Sequence, residues 1–295
     1  MSRRAVVFGA AGQLGIELVR ELQKRRFAVM SWDRTQVDIT DAVAVQKALA
    51  DFDAEVVFNS AAYNQVDVAE KEPQAAFLIN GLAVRNLALA CRQMDAQLVH
   101  FSTDYVFDGT KTGWYVESDP VMPLGVYGSS KAEGERLALQ YEGSTVLRTA
   151  WLFGALGQNF VTTMLRLARE RPSIGVVADQ HGCPTAAKDV AVALVSVAQA
   201  CLDGTIDGGL FHLTSPVPAT WHEFAAAIFN ASRHGFHGEF RKLTTAEYPT
   251  RARRPANSRL DSSLIEKKLG IRLPDWHNSV IDVVRELETG ANRSH

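Results

Sequence analysis

Tyr127 and Lys131 stand four residues apart in the string YGSSK, a spacing that puts a phenol and an ammonium on one face of a helix. A cation held beside a phenol favours the phenolate. The pair is therefore expected to lower the tyrosine pKa and ready it for proton transfer near neutral pH. Six tyrosines in the chain make such a spacing common by chance, so the neighbouring residues must give it weight. Ser102-Thr103-Asp104 closes the apolar run Gln97 to Phe101. A hydroxyl at the carboxyl end of a parallel strand can hydrogen-bond a substrate oxygen beside the tyrosine.

A second constellation lies near the start of the chain, where the apolar run Ala5 to Phe8 leads into GAAGQLG. Gly9 permits a tight turn, Gly12 lets the backbone approach a pyrophosphate, and Gly15 lets a helix pack closely on the strand. The helix start offers free N–H groups to the anion. Asp33 follows the next strand at the distance suited to gripping a ribose 2′-hydroxyl, while the adjacent Arg34 can face a 2′-phosphate. Both residue types are also common in plain turns. Asp38 and Ile39 open the following loop, which is expected to pass near the adenine.

The elements needed to hold these groups can be read from periodicity. Phe27 to Trp32, Glu55 to Phe58, Gln97 to Phe101 and Thr145 to Leu147 read as strands. Leu14 to Lys24, Asp41 to Ala50 (capped by Thr40 or Asp41), Ala75 to Met94 and Tyr127 to Gln140 read as helices. Strands alternating with helices of ten or more residues mean βαβ units and a parallel sheet, and the unbroken VVF at residues 56–58 fits a sheet covered on both faces. From about Trp151 glycine and proline become frequent. Helical stretches continue at Phe160 to Arg169, Lys188 to Ala200 and Trp221 to Ser232, with short strands at Ile174 to Val177 and Leu210 to Leu213. The expected architecture is an α/β, Rossmann-type doubly wound parallel sheet over residues 1–150. A smaller substrate-binding lobe over 151–295 returns strands to the sheet.

Composition narrows the function classes. The 295 residues are 46% hydrophobic and supply 31 basic against 33 acidic side chains, a net charge of −2. That balance argues against a nucleic-acid footprint or an anionic membrane surface. Cys91, Cys183 and Cys201 are widely spaced, which argues against a disulfide framework and a thiolate metal site. The chain enters its first strand directly after Met1-Ser2-Arg3-Arg4 without a secretory leader, and the apolar stretch Val190 to Leu202 is too short to span a bilayer. A cytoplasmic protein with no membrane partner is expected.

The glycine loop, the strand-end hydroxyl and the Tyr-x-x-x-Lys pair resemble the extended short-chain dehydrogenase/reductase superfamily. Further strings narrow the likeness: NSAAYNQVDVAE from Asn59, STDYVFDG from Ser102, YGSSKAEGE from Tyr127, RTAWLFG from Arg148, DQHGCPT from Asp179 and RRPANSRLD from Arg253. Together, from Val6 to about Trp276, they resemble the dTDP-4-dehydrorhamnose reductase family. The resemblance implies reduction of a C4 ketone on a nucleotide-linked deoxysugar by NADPH or NADH. It implies Tyr127 as proton donor, Lys131 tuning it and holding the nicotinamide ribose, and Thr103 orienting the substrate oxygen. Gly12, Gln13 and Leu14 would line the pyrophosphate, Asp38 and Ile39 the adenine, and Ala61, Ala62 and Tyr63 the cofactor after the third strand. Asp104 and Trp151 match positions touching the deoxysugar, and Arg254 with Asn257 lies toward the nucleotide end.

There are departures and rivals. Tyr63-Asn64-Gln65 stands where the family usually has His-Thr after the two alanines. The family's Mg²⁺-linked dimer relies on acidic residues matched here only in part, through Glu17 and Glu286; a homodimer is expected, and no metal is assigned. His222-Glu223 would need a second histidine at position 226 to make a zinc-protease helix, but Ala226 stands there. His181 and His212 lack carboxylate or cysteine partners at metal spacing. Cys183 fits a small buried hydrophobe. Arg251, Arg253 and Arg254 suit a diphosphate ligand rather than nucleic acid. A non-catalytic NADP-binding regulatory subunit and a ketoreductase for another deoxysugar are the competing functions. The intact Thr103, Tyr127 and Lys131 weigh against the first.

Overall fold

The computed structural model describes residues 2–290. Met1 and residues 291–295, at the outer ends of the two expected stretches, lie outside the described residues. The first half alternates β1 (Arg4–Phe8), α1 (Gln13–Lys24), β2 (Ala28–Trp32), α2 (Ala42–Phe52) and β3 (Val56–Asn59). Then come α3 (Val66–Ala69), α4 (Pro73–Phe77), a π turn (Leu78–Leu82), α5 (Ala83–Gln93), β4 (Gln97–Thr103), α6 (Val126–Ala138) and β5 (Ser144–Thr149). Asp41, not Thr40, caps α2, its carboxylate accepting from the Val43 and Ala44 N–H groups at 3.0 Å each.

The second half adds β6 (Leu152–Phe153), α7 (Phe160–Glu170), β7 (Ser173–Val177), β8 (His181–Gly182), β9 (Thr185–Ala186) and α8 (Ala187–Leu202). It ends with β10 (Gly209–His212), β11 (Ala219–Thr220), α9 (Trp221–Ala231), β12 (Glu239–Leu243), α10 (Ser263–Leu269) and α11 (Trp276–Thr289).

The main sheet is wholly parallel, in the order β10-β5-β4-β3-β1-β2. β3 is buried at every position and β1 at all but its first, as a sheet covered on both faces requires. Leu18, Leu22, Val190 and Leu194 of α1 and α8 fill one face, and Val45, Leu49, Leu87 and Cys91 of α2 and α5 fill the other. Strand order reverses direction between β1 and β3, so a crevice opens beyond their carboxyl ends, where such sheets take ligands. The expected return of later strands is met by β10, which pairs with β5 from Gly209↔Thr145 to His212↔Arg148. A further core gathers α7, α9 and α11 around Phe224, Ile228 and Trp276, beside the parallel pair β7–β12. β12 carries the polar string EFRKL, which hid it from a reading based on apolar runs.

The helix expected from Ala75 to Met94 is instead α4 and α5 joined through the π turn. Among the described residues this stretch, Pro73–Gln93, is the one helix long and apolar enough to cross a membrane by length and composition, and half of its most apolar window is buried. It packs against α6, α2 and β4, as a core helix does. The three cysteines are free and buried.

Candidate active site

The glycine loop has the shape its spacing predicts. Gly9 holds φ +73°, and a Cβ on it would lie 2.5 Å from the Ala61 nitrogen; a side chain there is excluded twice over. On Gly15 a Cβ would meet the Gly9 carbonyl oxygen at 2.3 Å, which fixes how closely α1 rides on the loop. No side chain caps α1 at Gly12, so its first-turn N–H groups point at the crevice with the positive end of the helix dipole. The side chains of the next two residues turn elsewhere. Gln13 Oε1 accepts from Asn159 Nδ2 at 2.7 Å, and Leu14 is buried in the core. Both residues begin α1, where their backbone N–H groups have no partner within the helix.

After β2, Asp33 shapes its own turn, Oδ1 accepting from the Thr35 hydroxyl at 2.6 Å and the Thr35 N–H at 2.8 Å. Those bonds hold its carboxyl below the usual range. Arg34 is exposed beside it and makes no ion pair among the described residues. Asp38 repeats the device with the Thr40 N–H and hydroxyl. The Ile39 side chain is buried with Val45 and Leu49, and its carbonyl accepts from Asn86 Nδ2 at 3.2 Å.

Beyond β3, the Ala61 N–H is held by Asn59 Oδ1 at 3.2 Å, and Asn59 Nδ2 donates to His100 Nδ1 at 3.1 Å. The Tyr63 backbone is gripped at both ends by Asn80, whose Oδ1 accepts from its N–H at 2.8 Å and whose Nδ2 donates to its carbonyl at 3.1 Å. Asn80 Nδ2 also reaches the Ser130 hydroxyl at 3.0 Å, tying the loop to α6. The Tyr63 phenol donates outward to Glu72 at 2.7 Å. Sequence reasoning missed Asn80; the available signal was an Asn-Gly pair inside an otherwise apolar helix. It sits in the π turn, a distortion frequent at functional sites.

Thr103, Tyr127 and Lys131 come together at the end of β4. The phenol of Tyr127 hydrogen-bonds the Thr103 hydroxyl, and the Thr103 hydroxyl is also directed at Asp104 Oδ1, 3.0 Å away. Lys131 is buried and donates to the Phe101 carbonyl. The expected lowering of the tyrosine pKa does not occur. Burial pushes Tyr127 up to about 12, Thr103 opposing and the Asp104 charge reinforcing it. Burial lowers Lys131 to about 8 against the attraction of Glu135. The fold therefore keeps the phenol protonated at neutral pH, which suits a proton donor. Asp104 is likewise raised, to about 6, by burial against the Ser258 and Thr103 hydroxyls. Tyr105 lies edge-on to Tyr127, ring centroids 5.8 Å apart.

The Trp151 indole stacks on Trp221. Arg254 pairs with Asp67 at 3.1 Å, while its Nε is buried without a hydrogen-bond partner among the described residues. Arg254 and Trp221 border a cavity of about 470 Å³ together with Phe160, Val176, Gln180 and Tyr248. Asn257 does not join them. Its Nδ2 donates to the Lys111 and Gly113 carbonyls and its Oδ1 accepts from Arg259 Nε at 2.8 Å, so its amide is committed to the loop.

The rival motifs resolve into structure. Glu223 closes a capping box with Thr220 at the start of α9, and His222 stacks on Phe240. His212 is buried, near Arg148, with its pKa lowered to about 3 chiefly by burial. Arg148 forms a two-pronged ion pair with Glu135, at 2.8 and 2.7 Å, deep in the protein.

A parallel sheet with an uncapped glycine-loop helix, a strand-end threonine and a Tyr-x-x-x-Lys helix defines an NAD(P)-dependent oxidoreductase of the extended short-chain dehydrogenase/reductase class. The sequence profile described as the RmlD substrate binding domain matches residues 3–289. A dTDP-4-dehydrorhamnose reductase of Aggregatibacter actinomycetemcomitans is 43% identical over 287 residues, 95% of this chain and 98% of that protein. A dTDP-4-dehydrorhamnose reductase from Bacillus anthracis, solved in complex with NADP, superposes with a TM-score of 0.91 at 33% identity, covering 97% of this chain and 100% of that one. A UDP-glucose 4-epimerase from Stenotrophomonas maltophila, at 20% identity and a TM-score of 0.86, shares the fold. The chain belongs to the dTDP-4-dehydrorhamnose reductase family.

Proposed function

We propose that this protein reduces the C4 ketone of dTDP-4-dehydro-L-rhamnose to the alcohol of dTDP-L-rhamnose, using NADPH or NADH. The dinucleotide fits the crevice: the Gly9 turn and the uncapped start of α1 form a cradle that a Cβ would fill, and Ala61 to Tyr63 line its far side. Bound there, it supplies the hydride. Thr103 orients the ketone oxygen, and Tyr127 gives its phenolic proton to that oxygen as negative charge develops on it. Lys131, one helical turn from Tyr127 and donating to the Phe101 carbonyl, is the cation that would support the phenolate left behind. Asp104 and Trp151 border the sugar, and Arg254, whose buried Nε has no partner among the described residues, serves the diphosphate.

The observation that carries this reading is the gathering of Thr103, Tyr127 and Lys131 at the end of β4. Residues 1–150 serve as the cofactor-binding unit, with β10 and α8 returning to it, and the rest of 151–295 serves as the substrate lobe. A cytoplasmic homodimer, with no nucleic-acid or membrane partner, completes the proposal. The test is an assay with dTDP-4-dehydrorhamnose and either dinucleotide, followed by identification of the product sugar. Cofactor oxidation yielding dTDP-rhamnose supports the reading. Turnover only of a different 4-keto deoxysugar favours a sister ketoreductase, and dinucleotide binding without turnover favours the regulatory alternative. Sedimentation tests the dimer.

A further inference from the structure

Two carboxylates at the short helix α3 touch the edges of the site without entering it. Asp67 reaches across 185 residues of sequence to accept from the Ala252 N–H at 3.0 Å, and its other oxygen pairs with Arg254 Nη2 at 3.1 Å. Glu70, the C-cap residue of α3, accepts from the Val126 N–H at 2.8 Å. Val126 is the first residue of α6 and immediately precedes Tyr127. No side chain from α6's own N-terminal end caps that helix, and a carboxylate there satisfies an orphan donor and complements the helix dipole. Gly125 is what lets the carboxylate in, since a Cβ on it would stand 2.5 Å from Glu70 Oε1. Glu70, Tyr105, Tyr127, Ala252 and Pro255 line the same narrow cleft.

We propose that Asp67 and Glu70 are positioning residues for the reductase reaction. Glu70 sets the first turn of α6 and with it the Tyr127 phenol. Asp67 sets Arg254 and the backbone at Ala252 on the nucleotide side. One turn of helix separates the two carboxylates, so α3 acts as a jig that fixes the proton donor relative to the bound nucleotide sugar. This inference rests on the reductase reading above.

The two carboxylates are separable by substitution. Glu70→Ala removes the bond to Val126, whereas Glu70→Gln keeps an oxygen that can accept it. Asp67→Asn keeps an acceptor for Ala252 but loses the pairing with Arg254. Turnover is measured at saturating NADPH and expressed per NADPH-binding site, counted by fluorescence titration, so that misfolded protein is not scored. Glu70→Ala is expected to lower kcat by about ten- to a hundredfold with little change in KM for the nucleotide sugar, the scale of an ångström-sized misplacement. Glu70→Gln is expected to restore most of it. Asp67→Asn is expected to raise that KM about tenfold while largely sparing kcat. A Gln variant as impaired as the Ala variant overturns the proposal, as do losses in kcat and KM that merely track melting temperature across all three. If Glu70→Ala binds no NADPH, the Glu70→Gln and Asp67→Asn results decide on the same criteria. A wild-type enzyme inactive on dTDP-4-dehydrorhamnose would instead overturn the functional reading.

Discussion

Trp151 and Trp221 lie face to face, ring centroids 3.5 Å apart and planes 7° from parallel. Trp151 holds this place with φ +46°, a backbone region a bulky residue rarely adopts. Its carbonyl accepts from the Thr185 N–H at 3.2 Å. One indole face is thereby covered, so under the proposed function a 6-deoxysugar would meet only what Trp221 and Gly182 leave open. A Cβ on Gly182 would stand 2.3 Å from Trp151 Cε2. Gly182→Ala must therefore displace the indole. The expected outcome is a rise of about tenfold in sugar KM with NADPH binding unchanged, consistent with loss of an aromatic contact of roughly 1.5 kcal/mol. Steady-state kinetics checks it; an unchanged KM would detach Trp151 from the pocket.

The phenol of Tyr127 is the proton donor in the proposed step, and removing it removes general acid catalysis. Tyr127→Phe is expected to lower kcat by about 10²–10⁴-fold while NADPH still binds. Equilibrium titration of NADPH alongside the turnover measurement separates the two effects, and near-normal turnover would remove Tyr127 from the mechanism.

Lys131 gives the pH dependence. Its pKa is lowered from the ordinary 10.5 to about 8 by burial, so its ammonium is lost as pH rises through about 8 and turnover should fall there. Between about 8 and 10.5 the unfolded chain still binds the proton that the native state has released, so this residue's contribution to stability rises with pH over the same window. Activity and stability should move in opposite directions. In Lys131→Met both dependences should flatten, as followed by rate–pH profiles and denaturant unfolding at pH 7 and 10.

Much of this was legible in the sequence because the governing forces are local. β1, β3 and β4 follow from short apolar runs, and Gly9 and Gly15 sit where a tight turn and close helix packing demand them. What was not legible depends on distant partners. Arg254 is held by Asp67, 187 positions away, and nothing in the arginine cluster names that carboxylate. The π turn exists where Asn80 bridges the Tyr63 backbone and Ser130. Asn257 was expected toward the nucleotide, but its amide is taken by carbonyls at Lys111 and Gly113. The Tyr127 pKa was misjudged because the helical spacing names the cation but conceals the burial that raises the phenol and the Phe101 carbonyl to which Lys131 donates.

Asp104 offers a stability test with the opposite sign. Its pKa is raised from 3.8 to about 6, first by burial. Between those values the native chain binds a proton that the unfolded chain has released, so stability falls as pH rises through the window. The full effect is on the order of 2–3 kcal/mol. Urea unfolding at pH 4 and pH 7.5 should show a smaller difference between the two pH values in Asp104→Asn than in wild type. An identical difference would mean that Asp104 is not buried as a charged group.

Cofactor choice turns on two neighbours with unequal freedom. The Asp33 carboxylate is anchored by Thr35 and stays charged; it can accept from the ribose hydroxyls of NADH and repels a 2′-phosphate. Arg34 is exposed beside it, and its planar guanidinium suits that phosphate. An anchored anion beside an exposed cation should admit both dinucleotides, with a preference below about a hundredfold, or ~2.7 kcal/mol. Arg34→Ala should raise the KM for NADPH selectively, because only that cofactor presents the group Arg34 recognises. Asp33→Asn should do the reverse, weakening NADH and relieving the repulsion on NADPH. Measuring KM for both cofactors in the wild type and the two variants decides the matter: equal losses for NADPH and NADH in Arg34→Ala would mean that the guanidinium does not meet the 2′-phosphate.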